Sequence, residues 1–192
     1  MGGRSHLRSV KRIAILASGS GSNAQCLVEH FRGHAAAEVV LIGCDQPNAG
    51  VLQRAWDLGM PSYLFNGAQL KDGTVLHELQ GLRVDLIVLA GFLRLIPAAM
   101  VQAFPERIVN IHPSLLPKYG GKGMYGQRVH ESVIASGERE SGITIHLVNE
   151  HYDEGEHLFH ARCPVLQRIR PRPWPSASTR WSTAISQGWW RS

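Results

Sequence analysis

The chain has 192 residues, 44% of them hydrophobic and 18% charged, with a formal net charge of +5. That length suits one α/β domain with its own core, and no apolar run approaches the ~20 residues of a membrane helix. The positive charge is local: residues 168–192 hold five arginines and no acid, while the first 167 residues carry 15 basic and 15 acidic side chains, so the body is not built for nucleic acid.

Residues 1–11 contain no acid and no signal-peptide apolar stretch, and read as a disordered basic leader. Ile13–Ala17 is a continuous apolar run, the pattern of a strand buried on both faces. It feeds Ser18-Gly19-Ser20-Gly21-Ser22-Asn23 and then a helical pattern through Leu27, Val28 and Phe31. A second buried strand is predicted at Val39–Gly43, and a helix over Val51–Leu58 stops at Gly59 with Pro61 beyond. Residues 68–81 read as one short, weakly patterned helix. The strongest strand is Val84–Ala90, with Gly91-Phe92-Leu93-Arg94 leaving its end. A helix near Pro97–Phe104, a strand from Arg107 into Asn110, a helix over 125–136 and a half-buried strand at Gly142–Val148 complete the order. Strands alternating with helices predict a single doubly wound, mostly parallel sheet with helices on both faces, spanning residues 12–167.

Cys26, Cys44 and Cys163 are odd in number, widely spaced and lack a C-x-x-C, which reads as buried thiols of a reducing, cytoplasmic setting. His146, His151, His157 and His160 share no ligand motif, so no metal is expected.

Two segments carry chemistry. Strand, Gly-Ser-Gly-Ser-Asn, helix has the form of a phosphate cradle: glycines let backbone N–H groups approach an anion, and the helix start adds unpaired donors. No Gly-Lys-Ser/Thr follows and no third glycine completes a dinucleotide fingerprint, although Asp45 could serve as the acid of one. A phosphate monoester on a small substrate fits better, and a plain strand–helix turn remains the ordinary alternative. Asn110-Ile-His112-Pro113-Ser114-Leu-Leu-Pro117, with Asp153 further on, offers acyl transfer a hydrogen-bond donor, an imidazole and a carboxylate to set its charge. A satisfied loop histidine is the competing interpretation.

In these motifs, and in Leu89-Ala-Gly-Phe-Leu-Arg-Leu-Ile96, Asn110 through Tyr119 and His146 through Gly155, the chain resembles the phosphoribosylglycinamide formyltransferases. The resemblance implies a role for each motif. Gly21, Ser22 and Asn23 would hold the phosphate of glycinamide ribonucleotide. Leu93, Arg94, Leu95 and Ile96, with Asn110, would line the pocket of the cosubstrate 10-formyltetrahydrofolate, with Arg94 and loop Asn149–Asp153 at its pterin end. Asn110 and His112 would donate to the oxyanion, and Asp153 would favour the imidazolium form of His112. Lys71 is a candidate for the residue of 65–75 that completes the site. The glycine-rich run Gly120–Gly126 would be a lid beside His112, with Lys122 a ligand contact or a solvated charge. The implied partners are small-molecule substrates, without nucleic acid or membrane, for a monomer or weak homodimer. Deformylases and transfer-RNA formyltransferases share the Asn110 and Asp153 segments but carry further domains. A non-catalytic folate- or nucleotide-binding relative is the alternative from another class, and a basic nucleic-acid module is a third.

From Gln167 the resemblance ends. Residues 168–192 hold four of the five tryptophans along with the arginines. Restoring a single base after the Leu166 codon, within the degeneracy of the code, turns the downstream codons into Pro-Glu-Asp-Thr-Pro-Glu-Thr-Leu-Ala, as the family carries before its last helix. The tail therefore reads as frameshifted, and the product as weakened by it.

Overall fold

The computed structural model describes residues 10–165. Most of the expected leader and all of the expected aberrant tail lie outside that range. Lys11, assigned to the leader, instead opens the first strand, where its Nζ pairs with Asp85 at 3.2 Å.

Seven strands form one sheet in the order β3-β2-β1-β4-β5-β6-β7. They are β1 (Lys11–Ala17), β2 (Ala37–Cys44), β3 (Ser62–Leu64), β4 (Leu86–Leu89), β5 (Ile108–His112), β6 (Glu140–Leu147) and β7 (His157–Pro164). The first five are parallel, while β6 and β7 run antiparallel to their neighbours. The helices are α1 (Ser22–Phe31), α2 (Gly50–Asp57), α3 (Gly67–Lys71), α4 (Thr74–Gly81), α5 (Ala98–Ala103) and α6 (Gln127–Ala135).

Successive strand residues face opposite sides, and the central strand shows why it had to be apolar throughout. Ile13, Ile15 and Ala17 join the core under α1 and α2; Ala14 and Leu16 join the core under α3, α4 and α5. Each fully buried Ile or Leu there contributes about 1.5–3 kcal/mol of transfer free energy.

Three details depart from expectation. The predicted helix 68–81 is two helices, because Gly73 adopts φ 91° and Asp72 turns back to accept from the Thr74 N–H at 2.9 Å and hydroxyl at 2.6 Å. Its first half starts at Asn66, whose side chain accepts from the Ala68 and Gln69 amides in a capping box. Strands β3 and β7 are additions at the two edges.

The sheet order changes direction between β1 and β4, the place where open α/β sheets bind ligands beyond the carboxyl ends of their strands. The glycine loop leaves β1 there, Gly91–Ile96 leaves β4, and β5 delivers Asn110 and His112.

Candidate active site

The glycine loop is held open by its neighbours rather than by its own side chains. Gly21 takes φ 78°, and a Cβ on it would lie 2.5 Å from Val51 Cγ2 and 2.7 Å from Val51 Cα, so only glycine fits. Val51 N–H donates to the Gly19 carbonyl at 3.1 Å, and Arg54 Nε donates to the Ser20 carbonyl at 2.8 Å. The first turn of α1 has no side-chain cap. Its leading amides therefore remain donors for an anion, with Ser22 and Asn23 beside them.

One strand away, the loop after β4 is tied down at Arg94. Its Nε donates to Asp45 Oδ2 at 2.6 Å, so the guanidinium is engaged with a buried acid rather than standing free over a pocket. Leu93 and Leu95 are exposed, an unusual placement for leucine, whereas Ile96 is part of the core. Lys71 ends α3 and is exposed.

Asn110, His112 and Asp153 converge two strands from the glycine loop, about 10 Å in the hydrogen-bonding direction of the sheet. Asp153, at φ 57°, sits between two imidazoles. Its Oδ2 lies 3.4 Å from His112 Nδ1 and accepts from the Gly121 N–H at 2.9 Å. Its Oδ1 accepts from Asn110 Nδ2 at 3.1 Å and lies 3.4 Å from His146 Nε2. Burial alone would raise the Asp153 pKa. Hydrogen bonds with His112 and His146, the His112 charge and the Gly121 amide outweigh it, and the carboxyl is held far below its ordinary value.

His112 is 3% exposed and donates from Nε2 to the Tyr119 carbonyl at 2.8 Å. Both its nitrogens thus face acceptors. The Tyr119 carbonyl and the Gly121 amide both come from the start of the glycine-rich loop, so that loop lies directly on the trio. It is braced from outside by Glu138, which accepts from Lys118 Nζ at 2.8 Å and Tyr119 OH at 3.1 Å. Lys122 is exposed and lines a cleft of about 500 Å³ with Met124, Arg128 and Glu131, away from His112.

His146 is a fourth member of the site. It is 2% exposed, and Nδ1 donates to the Leu147 carbonyl at 2.7 Å. Its Nε2 lies 3.1 Å from Asn110 Nδ2 and 3.4 Å from Asp153 Oδ1. The Asn110 amide nitrogen thus faces both Asp153 Oδ1 and His146 Nε2. Among the described residues no group of three or more His, Cys, Asp or Glu could hold a metal ion.

The sequence profile of the formyl transferase family matches residues 11–170. Phosphoribosylglycinamide formyltransferase of Haemophilus influenzae is 36% identical over 164 residues, covering 82% of this chain and 74% of that protein. This chain belongs to the phosphoribosylglycinamide formyltransferase family. The chloroplastic family member of Arabidopsis thaliana is 41% identical over 176 residues, which are 88% of this chain but 60% of the plant protein's length. The crystal structure of glycinamide ribonucleotide transformylase 1 from Geobacillus kaustophilus superposes with a TM-score of 0.75 at 35% identity, covering 84% of this chain and 86% of that one. Formyl transferases of this family take their formyl group from a formyl folate.

Sequence reasoning brought Asn110, His112 and Asp153 together and passed over three contributors. His146 opens one of the motifs that carry the resemblance but was given no role there, because its position opposite Asn110 follows from the antiparallel β5–β6 register. The Tyr119 carbonyl and Gly121 amide are backbone groups and leave no residue-type signal. Asp45 was weighed as a nucleotide acid, whereas it anchors Arg94.

Proposed function

We propose that this protein transfers the formyl group of 10-formyltetrahydrofolate to the amine of glycinamide ribonucleotide, a step of de novo purine synthesis. The observation that carries the proposal is the Asn110–His112–Asp153 convergence beside a glycine loop suited to phosphate. Gly21, Ser22 and Asn23 bind the phosphate. Leu93–Ile96 and Asn110 line the folate pocket, where exposed Leu93 and Leu95 offer apolar surface to a flat ring.

The neutral amine attacks the formyl carbon, and the carbonyl π pair moves to the oxygen. His112 Nε2–H stabilises that oxyanion, an effect of about 3–4 kcal/mol for one donor in comparable sites. To do so it must exchange the Tyr119 carbonyl for the formyl oxygen, which fits the adjoining run Gly120–Gly126 as the lid of the site. Asp153 Oδ2, 3.4 Å from His112 Nδ1, orients the imidazole, and the Asn110 side-chain N–H is the second donor to the oxyanion. The amine proton passes, through water, to the departing folate nitrogen as the C–N bond breaks.

Cys26, Cys44 and Cys163 form no disulfide among the described residues, which suits a reducing compartment such as the cytoplasm. No helix among the described residues is long and apolar enough to cross a membrane. Formyl transfer from 10-formyltetrahydrofolate to glycinamide ribonucleotide by the purified chain tests the proposal. Product carrying the formyl group supports it; binding of both molecules without transfer supports an impaired relative; hydrolysis of the folate without transfer supports a deformylase.

A further inference from the structure

Asp45 is a buried acid with no part in the transfer chemistry. Its side chain is 1% exposed at the end of β2, yet it reaches two other segments. Ser18 Oγ donates to Asp45 Oδ1 at 2.6 Å. Oδ2 accepts from Arg94 Nε at 2.6 Å and from Gln46 Nε2 at 3.1 Å. The same Ser18 oxygen accepts the Leu93 N–H at 3.1 Å, and Ser18 N–H donates to the Gly91 carbonyl at 3.0 Å. Ser18 is the residue from which the glycine loop departs, and Leu93 and Arg94 open the Leu93–Ile96 segment. Arg94 is confined on its other side as well, since a Cβ on Gly67 would lie 2.7 Å from its NH1.

A buried carboxylate paired with a guanidinium contributes little net stability compared with apolar residues of equal volume. What it does supply is a fixed geometry: short, directional bonds that hold two loops in one register. Because one carboxylate binds both loops, ordering either by a ligand lowers the entropic cost of ordering the other.

We propose that Asp45 is a positioning residue that couples the two substrate sites, joining the Ser18–Asn23 loop to the Leu93–Ile96 loop through Ser18 and Arg94. The inference rests on the formyl-transfer reading for its kinetic consequence, though not for its structural one. Asp45→Asn keeps the shape and removes the charge on which Arg94 rests; Ser18→Ala removes the hydroxyl that meets both loops.

Amide hydrogen exchange gives the structural readout. In both variants, peptides covering 18–23 and 91–96 exchange faster together, by about tenfold for the loss of one charge-assisted bond, while peptides from β6 and α6 are unmoved. Faster exchange in one loop alone, or uniformly through the chain, overturns the coupling. The kinetic readout is the KM for 10-formyltetrahydrofolate at low and at saturating glycinamide ribonucleotide. The wild-type KM falls as the ribonucleotide saturates, and that dependence is lost in Asp45→Asn; an equal dependence in both proteins also overturns it. A wild-type chain that transfers no formyl group defeats the functional reading, and the exchange result still decides the fate of the bridge.

Discussion

A carboxylate flanked by two imidazoles has to be spent on both, and at Asp153 the division is visible oxygen by oxygen. Oδ2 serves His112 and the Gly121 amide, while Oδ1 serves Asn110 and His146. Replacing Asp153 with Asn keeps the size but removes the charge facing His112 Nδ1, so turnover is expected to fall about 100-fold, the lower end of general acid–base contributions. Unchanged kcat with an unchanged pH profile would remove Asp153 from the chemistry. The same carboxyl has a stability signature. Its folded pKa lies far below the ordinary 3.8, so its contribution is present above about pH 4 and is lost as pH falls through the folded value. His130 gives a separate window. Burial, then repulsion from His112, lowers its pKa from 6.5, so the unfolded chain takes up a proton first and the fold loses stability as pH drops below about 6.5. Melting temperature against pH should therefore fall in two steps, and His130→Gln should shrink only the upper one, to which His30 and His157, also lowered by burial, contribute. His146 is tested by a pair of variants. His146→Leu removes the imidazole that meets both Asn110 Nδ2 and Asp153 Oδ1, at a cost of about 1–3 kcal/mol in stability and a loss of turnover. His146→Gln, whose amide can both donate and accept, should recover most of both; equal defects in the two would mean that the imidazole's volume matters and its hydrogen bonds do not.

The glycine loop shows how an element can be demanded by its neighbours. An alanine at position 21 meets two penalties together: φ 78° strains any L side chain, and the new methyl strikes Val51 at both side chain and backbone. Gly21→Ala is expected to destabilise by about 1–3 kcal/mol and to raise the KM for glycinamide ribonucleotide more than that for the folate. An equal rise in both would separate this loop from phosphate binding. This element was legible from its letters, because strand, glycine loop and helix follow one another without interruption. The same holds for β2, β4 and β5, whose apolar runs are buried on both faces. Other elements were not legible, for physical reasons. The three residues of β3 are largely exposed, and β7 alternates half-buried and exposed positions, so each owes its strand conformation to a neighbour already in place. The division of 68–81 turns on one glycine at φ 91° and the Asp72 side chain, inside a stretch whose weak apolar pattern runs through the break. In the candidate site, Asn110 and His112 are two residues apart and so fall on one side of a strand, which spacing reveals. His146 and Asp45 join through strand register and a reach across loops, which spacing does not reveal.

At the scale of the whole molecule, the two faces of the sheet are unequally covered within residues 10–165. One face carries α3, α4 and α5 over a closed core. On the other, α1 and α2 lie against β2, and toward the opposite edge Ile143 and Leu147 on β6 and Leu158 and Phe159 on β7 remain only partly buried. An amphipathic helix laid across those four side chains would remove apolar surface from water at about 25 cal/mol per Å². The arginines and tryptophans of 168–192 have no acids among them and no helical period to supply such a face, whereas the restored frame begins with the acidic run that the family carries before its last helix. Three proteins distinguish the cases: the chain as it stands, the chain ended at residue 167, and the chain with the restored frame from codon 167. If the tail is frameshifted, the first two melt alike and the third melts higher by about 4–8 °C for each kcal/mol gained in a small domain, or about 2–4 °C in a larger one, with formyl transfer increased alongside. A restored chain that melts no higher than the truncated one defeats the frameshift reading. In that case the arginine-rich tail belongs to the protein, and the partly covered strip on β6 and β7 needs no helix from its own chain.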